Sequence, residues 1–366
     1  MKMVHLLLPS NPFRRPEGST PPRRGLSRGM RTTVLGLAAF LCAAGARSEV
    51  QVYGYLGVAN ENHNLISEIT GQDIPFNTAS VTFPENWTTV QLGPILSSFQ
   101  SEGVKAQLWL DNVLFKRFSA ASSACGAPGA YFKYRLRADW QQRLANFMST
   151  NGAHITSAKV GSWVVFPEVN NGCVSFDDIN AAALQLKSYR PTLPTVIGYG
   201  YDKDVGVTAP AAIPQSIDWV GFWDYGYFNP AQTACPNPPQ PPCPSAGRPS
   251  PCKATFYLER LEDLKSKLAA HQRILLVPDA FWQTGIHGSL PECQSDQPVG
   301  TGWPQWYLSP VAANYAALAQ SEAKVIGVLY WLWSTPPFPN AKGTRDLPTS
   351  VRTRHRTLGC TYLGGC

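Results

Sequence analysis

Residues 158–172 read AKVGSWVVFPEVNNG and combine an apolar run, typical of a buried strand, with a carboxylate, Glu168, just beyond its end. Amphipathic stretches separate this run from others of the same kind. The runs lie at residues 51–58, 79–83, 104–110, 158–166, 194–200, 217–223, 273–278 and 324–333. Eight strands that alternate with helices are the number that closes a (β/α)8 barrel. The sequence therefore predicts an α/β chain folded as a (β/α)8 TIM barrel.

The stretches between the predicted strands carry helix signals. Helical spacing of apolar residues, or a cap residue followed by proline, predicts helices over 137–149, 176–189 and 255–271 and from Ser309 onward. Residues 229–252, after the sixth strand, are rich in Pro and Cys and predict a loop insertion, either a disulfide-tied ornament or a wall of a substrate cleft. We expect the barrel to span 47–340, with a C-terminal tail over 341–366.

Residues 1–46 predict a secretory signal peptide with a long polar prefix, and Met30 is an alternative start of synthesis. The apolar run VLGLAAFLCAA is too short for a permanent membrane span, so we expect a secreted or periplasmic protein without a stable membrane anchor. This leader holds seven basic residues and one acidic residue, which accounts for six of the seven net positive charges. From its nearly neutral overall charge, the remainder is predicted to have no basic footprint for nucleic acid.

The cysteine count agrees with export. Eight cysteines follow the leader, and an even set in an exported chain predicts disulfides. Cys125 and Cys173 follow neighbouring strands and form a plausible pair, and Cys360 and Cys366 can close a small C-terminal loop. Spacing of the CxxC type is missing from the sequence and His is scarce, so a zinc site is disfavoured. We predict no metal and no cofactor.

Chemistry is expected in the loops that follow the strands, where a (β/α)8 barrel carries its active site. Glu168, in VVFPEVNNG, comes after the fourth strand, and Asp279, in LLVPDAFW, comes after the seventh. In this layout the chain resembles the TIM-barrel glycoside hydrolases, especially the clan whose acid/base glutamate follows strand 4 and whose nucleophile follows strand 7. The resemblance implies that Glu168 is the general acid/base and Asp279 its carboxylate partner.

The chain departs from the pattern of that clan at both positions. Pro167 precedes Glu168 where the clan has Asn, and Asp279 stands where the clan has Glu. Asp224, in GFWDYGYF after the sixth strand, is the alternative partner, because other barrel glycosidases place carboxylates on neighbouring strands. Glycoside hydrolysis needs two carboxyl groups that flank the scissile bond, one protonated and one ionised. Both aspartates therefore remain candidates.

Aromatic and polar residues near the strand ends predict a glycan cleft. Sugar rings pack their C–H faces on aromatic rings while their hydroxyl groups bond to polar side chains. The aromatic candidates are Tyr53, Tyr55, Trp109, Trp223, Tyr225, Tyr227, Trp282, Trp331 and Trp333. The run YWLW resembles the strand-8 tryptophan platform of the clan, which implies that role for Trp331. Direct substrate contacts are predicted for Glu61, Asp111, Asn171, Asp202, Tyr225, Trp282 and Trp331.

The predicted function is that of a secreted glycoside hydrolase, which cleaves a poly- or oligosaccharide through two carboxyl groups. The alternative is a barrel that binds glycan without catalysis. A metal-dependent hydrolase using Asp202, Asp204 and Asp224 is a third class, which the scarcity of His disfavours. The Walker A, GxGxxG and HExxH motifs do not occur, and the one G-x-S-x-G match, GLSRG at residues 25–29, lies in the predicted leader, so the usual sequence signals of several other enzyme classes are missing from the predicted barrel.

Overall fold

The structure is a computed structural model that describes residues 50–60, 62–84, 91–120, 132–170, 172–200, 212–223, 254–283, 305, 308–334, 341–364 and 366. Its strands are β1 (Val52–Ala59), β2 (Thr78–Thr82), β3 (Lys105–Trp109), β4 (Phe115–Ala120), β5 (Phe132–Leu136), β6 (Val160–Phe166), β7 (Thr195–Gly200), β8 (Trp219–Trp223), β9 (Arg273–Leu276), β10 (Trp282–Gln283), β11 (Val325–Tyr330) and β12 (Ala341–Lys342). Eight of them close a barrel in the order β1-β11-β9-β8-β7-β6-β3-β2, and all neighbouring pairs are parallel. The eight predicted strands and the (β/α)8 fold are confirmed.

The described residues contain eight α-helices, of which seven lie between barrel strands and the eighth follows the last one. They are α1 (Ile66–Thr70), α2 (Leu92–Ser101), α3 (Asp111–Leu114), α4 (Trp140–Asn151), α5 (Phe176–Tyr189), α6 (Ala254–Lys267), α7 (Leu308–Ser321) and α8 (Thr349–Leu363). Helix α5 has the predicted bounds, and its first turn is fixed because the Asp178 backbone N–H donates to Ser175 Oγ at 3.1 Å. Helix α4 begins at Trp140, three residues later than predicted, because residues 137–139 form a turn after strand β5 in which Trp140 N donates to the Arg137 carbonyl at 3.2 Å.

Two small sheets accompany the barrel. Strands β4 and β5 pair in antiparallel fashion and form a hairpin after β3, and β10 pairs with β12. This hairpin is not among the elements predicted from the sequence. Its inner face packs on the barrel, since the rings of Phe115 and Tyr134 contact Phe166 of β6 at centroid distances of 5.1 and 5.3 Å. The hairpin is therefore attached to the strand that precedes Glu168.

The barrel strands place alternate side chains on opposite faces of the sheet, as strand geometry requires. The outer face packs against the helices and forms the larger core, with Trp163, Phe222 and Tyr330 among its fully buried side chains. The inner face fills the barrel with Val52, Leu56, Trp109, Val164, Val196, Trp223, Leu275, Val277, Ile326 and Leu329. The inner residues nearest the carboxyl ends of the strands therefore face the mouth of the barrel, where a site is expected.

The C-terminal segment, treated above as a tail, contains helix α8, which packs against β1. His355 of this helix is fully buried. The Tyr53 hydroxyl donates to the His355 carbonyl oxygen at 2.8 Å, and the Tyr55 hydroxyl lies 2.8 Å from His355 Nδ1. The helix ends at Gly364, whose φ of 70° suits glycine. The helix thus covers the part of the barrel where the first strand pairs with the last.

The Cys360–Cys366 disulfide closes the predicted C-terminal loop, with a Cα–Cα distance of 5.5 Å. Cys173 is also disulfide-bonded, and its predicted partner Cys125 lies outside the described residues. The leader, the 229–252 insertion and the remaining cysteines lie outside them as well. In the part of the chain that the structure describes, every helix is too short or too polar to cross a bilayer.

Candidate functional site

Three tryptophans from different strands meet at the mouth of the barrel. The ring centroids of Trp223 and Trp331 are 4.9 Å apart, and Trp109 lies 6.1 Å from each of them. Trp109 and Trp223 are almost fully buried, whereas Trp331 is partly exposed. The buried Trp109 Nε1 has no hydrogen-bond partner among the described residues. This tryptophan cluster (Trp109, Trp223, Trp331) forms an aromatic floor with an exposed edge at Trp331.

Glu168 lies in a tight turn directly after β6. Its carbonyl oxygen accepts a hydrogen bond from Gly172 N at 2.8 Å, and the residue is partly exposed. Asn170, two residues on, binds the end of β7 with its side-chain amide: Gly200 N donates to Asn170 Oδ1 at 3.0 Å, and Asn170 Nδ2 donates to the Gly200 carbonyl. Both the oxygen and the nitrogen of the Asn170 amide therefore hold the turn against β7.

A glycine on β7 lets this turn approach closely. A Cβ built on Gly198 would overlap the carbonyl oxygen of Pro167, the residue that precedes Glu168. Val169 N also donates to the Gly198 carbonyl at 3.1 Å. Because only glycine leaves room for this contact, the position of Glu168 depends on the residue type at 198.

Asp279 follows β9 and pairs with the end of the eighth barrel strand. It forms an isolated parallel bridge with Trp331, and Ala280 N donates to the Trp331 carbonyl at 2.6 Å. Asp279 is 1% exposed, and it lies two residues beyond Val277, which faces the barrel interior. The alternation of the strand therefore places Asp279 on the inner wall of the mouth, beside the tryptophan cluster.

Asp111 is a third carboxyl group at the mouth. It begins α3, two residues beyond Trp109, and Asn112 ties the turn to the end of β2 because its Nδ2 donates to the Phe83 carbonyl at 2.9 Å. Burial raises the pKa of the Asp111 carboxyl to about 6, and hydrogen bonds from the backbone N–H groups of Asn112 and Asp111 partly oppose this rise. At weakly acidic pH this carboxyl is largely protonated and can donate a hydrogen bond as well as accept one.

Other predicted site residues lie elsewhere. Trp282 is 1% exposed and packs against Leu308, Leu347 and Val351, so its burial favours a packing role over the predicted substrate contact. Three aromatic candidates, Tyr53, Tyr55 and Trp333, belong to the outer core beneath α8 or near it and do not face the mouth. The structure does not describe Glu61, Asn171, Asp202, Asp204, Asp224, Tyr225 or Tyr227.

The arrangement brings together part of what the sequence predicts. Glu168 follows β6 and Asp279 follows β9, and in the barrel order two strands, β7 and β8, separate them. The two residues therefore approach the mouth from different sides, with the tryptophan cluster near Asp279. The mutual contact of Trp109, Trp223 and Trp331 is not among the features predicted from the sequence. The signal for it is their shared position at strand ends and on the inward phase of the alternation.

Comparisons with known proteins give fold similarity only. Neither a protein-family model nor a curated protein matches the chain. Gas2 of Saccharomyces cerevisiae is 9% identical with a TM-score of 0.46, over 87% of this chain and 65% of that one. A β-D-glucuronidase of Dictyoglomus thermophilum is 12% identical with a TM-score of 0.49, over 87% and 51%. The chain spans less than two thirds of the length of these solved chains.

The fold and the mouth together define a (β/α)8 barrel with carboxyl groups and tryptophans at the carboxyl ends of its strands. Of the solved chains named above, Gas2p is known in complex with laminaripentaose and the other is a β-D-glucuronidase.

Proposed function

We propose that this protein is an exported glycoside hydrolase that cleaves a poly- or oligosaccharide, with Glu168 as general acid/base and Asp279 as its carboxylate partner. One observation carries the proposal. Asp279 is bridged to Trp331 on the inner wall of the barrel mouth, and Glu168 is held in a braced turn, with the strands β7 and β8 between the two positions. A carboxyl group beside an indole suits a sugar, which offers both hydroxyl groups and an apolar ring face.

In this mechanism the sugar ring lies against the exposed edge of Trp331, and the scissile bond lies between the two carboxyl groups. Protonated Glu168 gives its proton to the glycosidic oxygen as the bond to the leaving group breaks. The Asp279 carboxylate either attacks the anomeric carbon or removes a proton from the water that does so. A carboxyl separation of about 5 Å corresponds to the first route, with retention, and about 6.5–9.5 Å to the second, with inversion.

The bracing of the Glu168 turn has a role in this scheme. General acid catalysis requires the donor within hydrogen-bond distance of the leaving oxygen, so small displacements are costly. The Asn170 amide and the close approach of Gly198 fix the turn to β7. We assign both residues a positioning role, since they hold the turn and not the substrate.

A specific observation favours the second candidate function, a barrel that binds glycan without turnover. Asp279 is 1% exposed, and a nucleophile has to reach the substrate. Asp224 on the sixth loop remains the alternative partner carboxylate. The two functions share the aromatic surface at Trp331, so only turnover distinguishes them.

The test is a reducing-sugar assay over a broad panel of polysaccharides with three variants. Glu168→Gln keeps the shape of the side chain and removes its proton transfer, so we expect turnover to fall by at least about 100-fold with binding largely kept. Asp279→Asn and Asp224→Asn, compared side by side, identify the partner. Glu262→Gln and Asp139→Asn are matched controls, because both carboxylates are exposed on the helical shell and should leave turnover unchanged.

Release of reducing sugar by the wild type and not by Glu168→Gln supports the hydrolase and names its substrate class. Full activity of Glu168→Gln contradicts the assignment of the acid. Wild-type protein that binds a glycan of the panel and never cleaves it supports the binding barrel instead.

A further inference from the structure

The hairpin of β4 and β5 concentrates positive charge beside the candidate active site. Residues 115–137 contain five basic residues and no acidic residue, although the chain after the leader is nearly neutral. Asp139 follows the hairpin, and Asp178 accepts a hydrogen bond from Leu136 N at 3.3 Å. The local charge is still +3 when both acids are counted.

The two faces of the hairpin differ in chemistry. The face that carries Phe115 and Tyr134 packs on Phe166. Lys116 pairs with Arg135 across the strands, and Lys133 lies two residues from Arg135, so these three cations share the opposite face. All three are at least partly exposed. The outer face is therefore cationic and accessible.

An exposed aromatic ring lies among these cations. Phe118 is 45% exposed, one of only two large apolar side chains that are so exposed in the described part of the chain. The Arg135 guanidinium carbon is 4.8 Å from its ring centroid, which places the cation over the ring. An apolar ring face and a guanidinium side by side match the two features of a uronate sugar, an apolar ring face and a carboxylate.

The hairpin is joined to the turn that carries Glu168. Tyr134 N donates to the Gly172 carbonyl at 2.8 Å, and Gly172 N donates to the Glu168 carbonyl at 2.8 Å. Tyr134 is the neighbour of Lys133 and Arg135. A polymer bound on the outer face therefore lies next to the loop that holds the candidate acid/base.

We propose that the outer face of this hairpin binds an acidic, uronate-bearing polysaccharide and that such a polymer is the substrate of the barrel. Its recognition as a substrate rests on the proposed glycoside hydrolase function; binding by the hairpin does not. Lys116, Lys133 and Arg135 pair with carboxylates of the chain, and Phe118 packs on a sugar ring between them.

The test compares polygalacturonate with the same polymer in methyl-esterified form, which keeps the backbone and removes the charge. Binding is measured by titration calorimetry at low salt, independently of turnover. We expect the wild type to bind the acidic polymer at least about tenfold more tightly than the ester. Counterion release predicts at most about 0.7 per contact for the log–log salt slope, so three contacts weaken binding up to about 20-fold between 50 and 200 mM salt.

The variant Lys116→Gln/Lys133→Gln/Arg135→Gln should lose the preference for the acidic polymer and most of the salt dependence, with binding of the ester unchanged. The matched control is Lys105→Gln/Lys159→Gln/Arg354→Gln. It removes the same charge, but Lys105 and Lys159 lie at the amino ends of β3 and β6, away from the mouth, and Arg354 lies on α8. The control should keep the preference.

Equal wild-type affinity for polymer and ester, or a preference that the hairpin variant retains, overturns the proposal. An equal loss of preference in the control variant also overturns it. The hairpin variant is measured with duplex DNA as well, and a variant that loses affinity for DNA but keeps its affinity for polygalacturonate overturns the proposal too. The salt dependence is measured on the wild-type protein, so this part of the test does not depend on whether any variant folds. If the hairpin binds polyuronate and no glycan is cleaved, hairpin binding stands and the hydrolase function fails, along with the claim that the polymer is a substrate.

Discussion

His355 makes the stability of this protein sensitive to acid. The imidazole is fully buried between α8 and the barrel, where it contacts Tyr55 and packs against the tilted ring of Tyr330, with ring centroids 4.1 Å apart. Its Nε2 has no hydrogen-bond partner among the described residues. Burial lowers the pKa of His355 to about 3, because the charged imidazolium would lose its hydration.

The size of the effect follows from proton linkage. The pKa of histidine in an unfolded chain is about 6.5, so between pH 6.5 and 3 the unfolded state binds a proton that the folded state does not. The stability due to neutral His355 is complete above pH 6.5 and is lost as the pH falls toward 3. At pH 4.5 the loss is two pH units, or about 2.7 kcal/mol.

The assay is urea unfolding followed by tryptophan fluorescence at pH 7.5 and 4.5. His355→Phe keeps an aromatic ring and removes the titration, so its stability should fall between the two pH values by about 2.7 kcal/mol less than that of the wild type. Tyr55→Phe is the control. It removes the hydroxyl beside Nδ1 and lowers stability by about 1 kcal/mol, with the pH dependence retained. Identical pH dependence in wild type and His355→Phe would refute the reasoning.

Three further changes test other parts of the fold. Gly198→Ala pushes a Cβ into the Pro167 carbonyl, so we expect thermal unfolding to show a loss of about 1–3 kcal/mol in stability and the sugar-release assay to show lower turnover. Gly161→Ala is the control and should behave as wild type, because the added Cβ meets ordinary contacts there. The raised pKa of the Asp111 carboxyl makes the folded state lose stability as the pH rises from about 4 to 6. Asp111→Asn removes this loss, so in urea unfolding the change in stability from pH 4 to pH 7 should be about 1–2 kcal/mol more favourable for the variant than for the wild type, a value discounted for the partial exposure of the side chain. An unchanged difference contradicts this. Cys360→Ser with Cys366→Ser opens a short loop and should cost about 2 kcal/mol, seen as a lower unfolding midpoint under oxidising conditions and no difference under reducing ones.

The barrel could be predicted from sequence because parallel strands buried on both faces read as continuous apolar runs. The same property hides which face each residue occupies. Tyr53 and Tyr55 stand in a strand beside the mouth, yet they point outward and pack beneath α8. Only the register of the closed sheet separates these outward aromatics from Trp109 and Trp223.

The hairpin and α8 escaped prediction for different reasons. The hairpin strands carry cations on their outer face and owe their inner face to contact with Phe166, which is distant in sequence. Helix α8 buries Val351, His355 and Gly359, a narrow row with little apolar content. Close packing at Gly359 against Pro75 depends on a small residue and leaves no periodic signal. For the candidate site, the strand ends can be predicted from the sequence, whereas the burial of Asp279 cannot.

The pairing of β1 with β11 beneath α8 also affects the order in which the fold can form. Val52 of β1 pairs with Gly327 of β11, and Tyr53 bonds to His355 across 302 residues of chain. While the chain is being made, the first strand emerges long before either partner exists. Its exposed edge then has to be kept from pairing elsewhere. The barrel closes only when the last part of the chain is available, so its closure is a late event in folding.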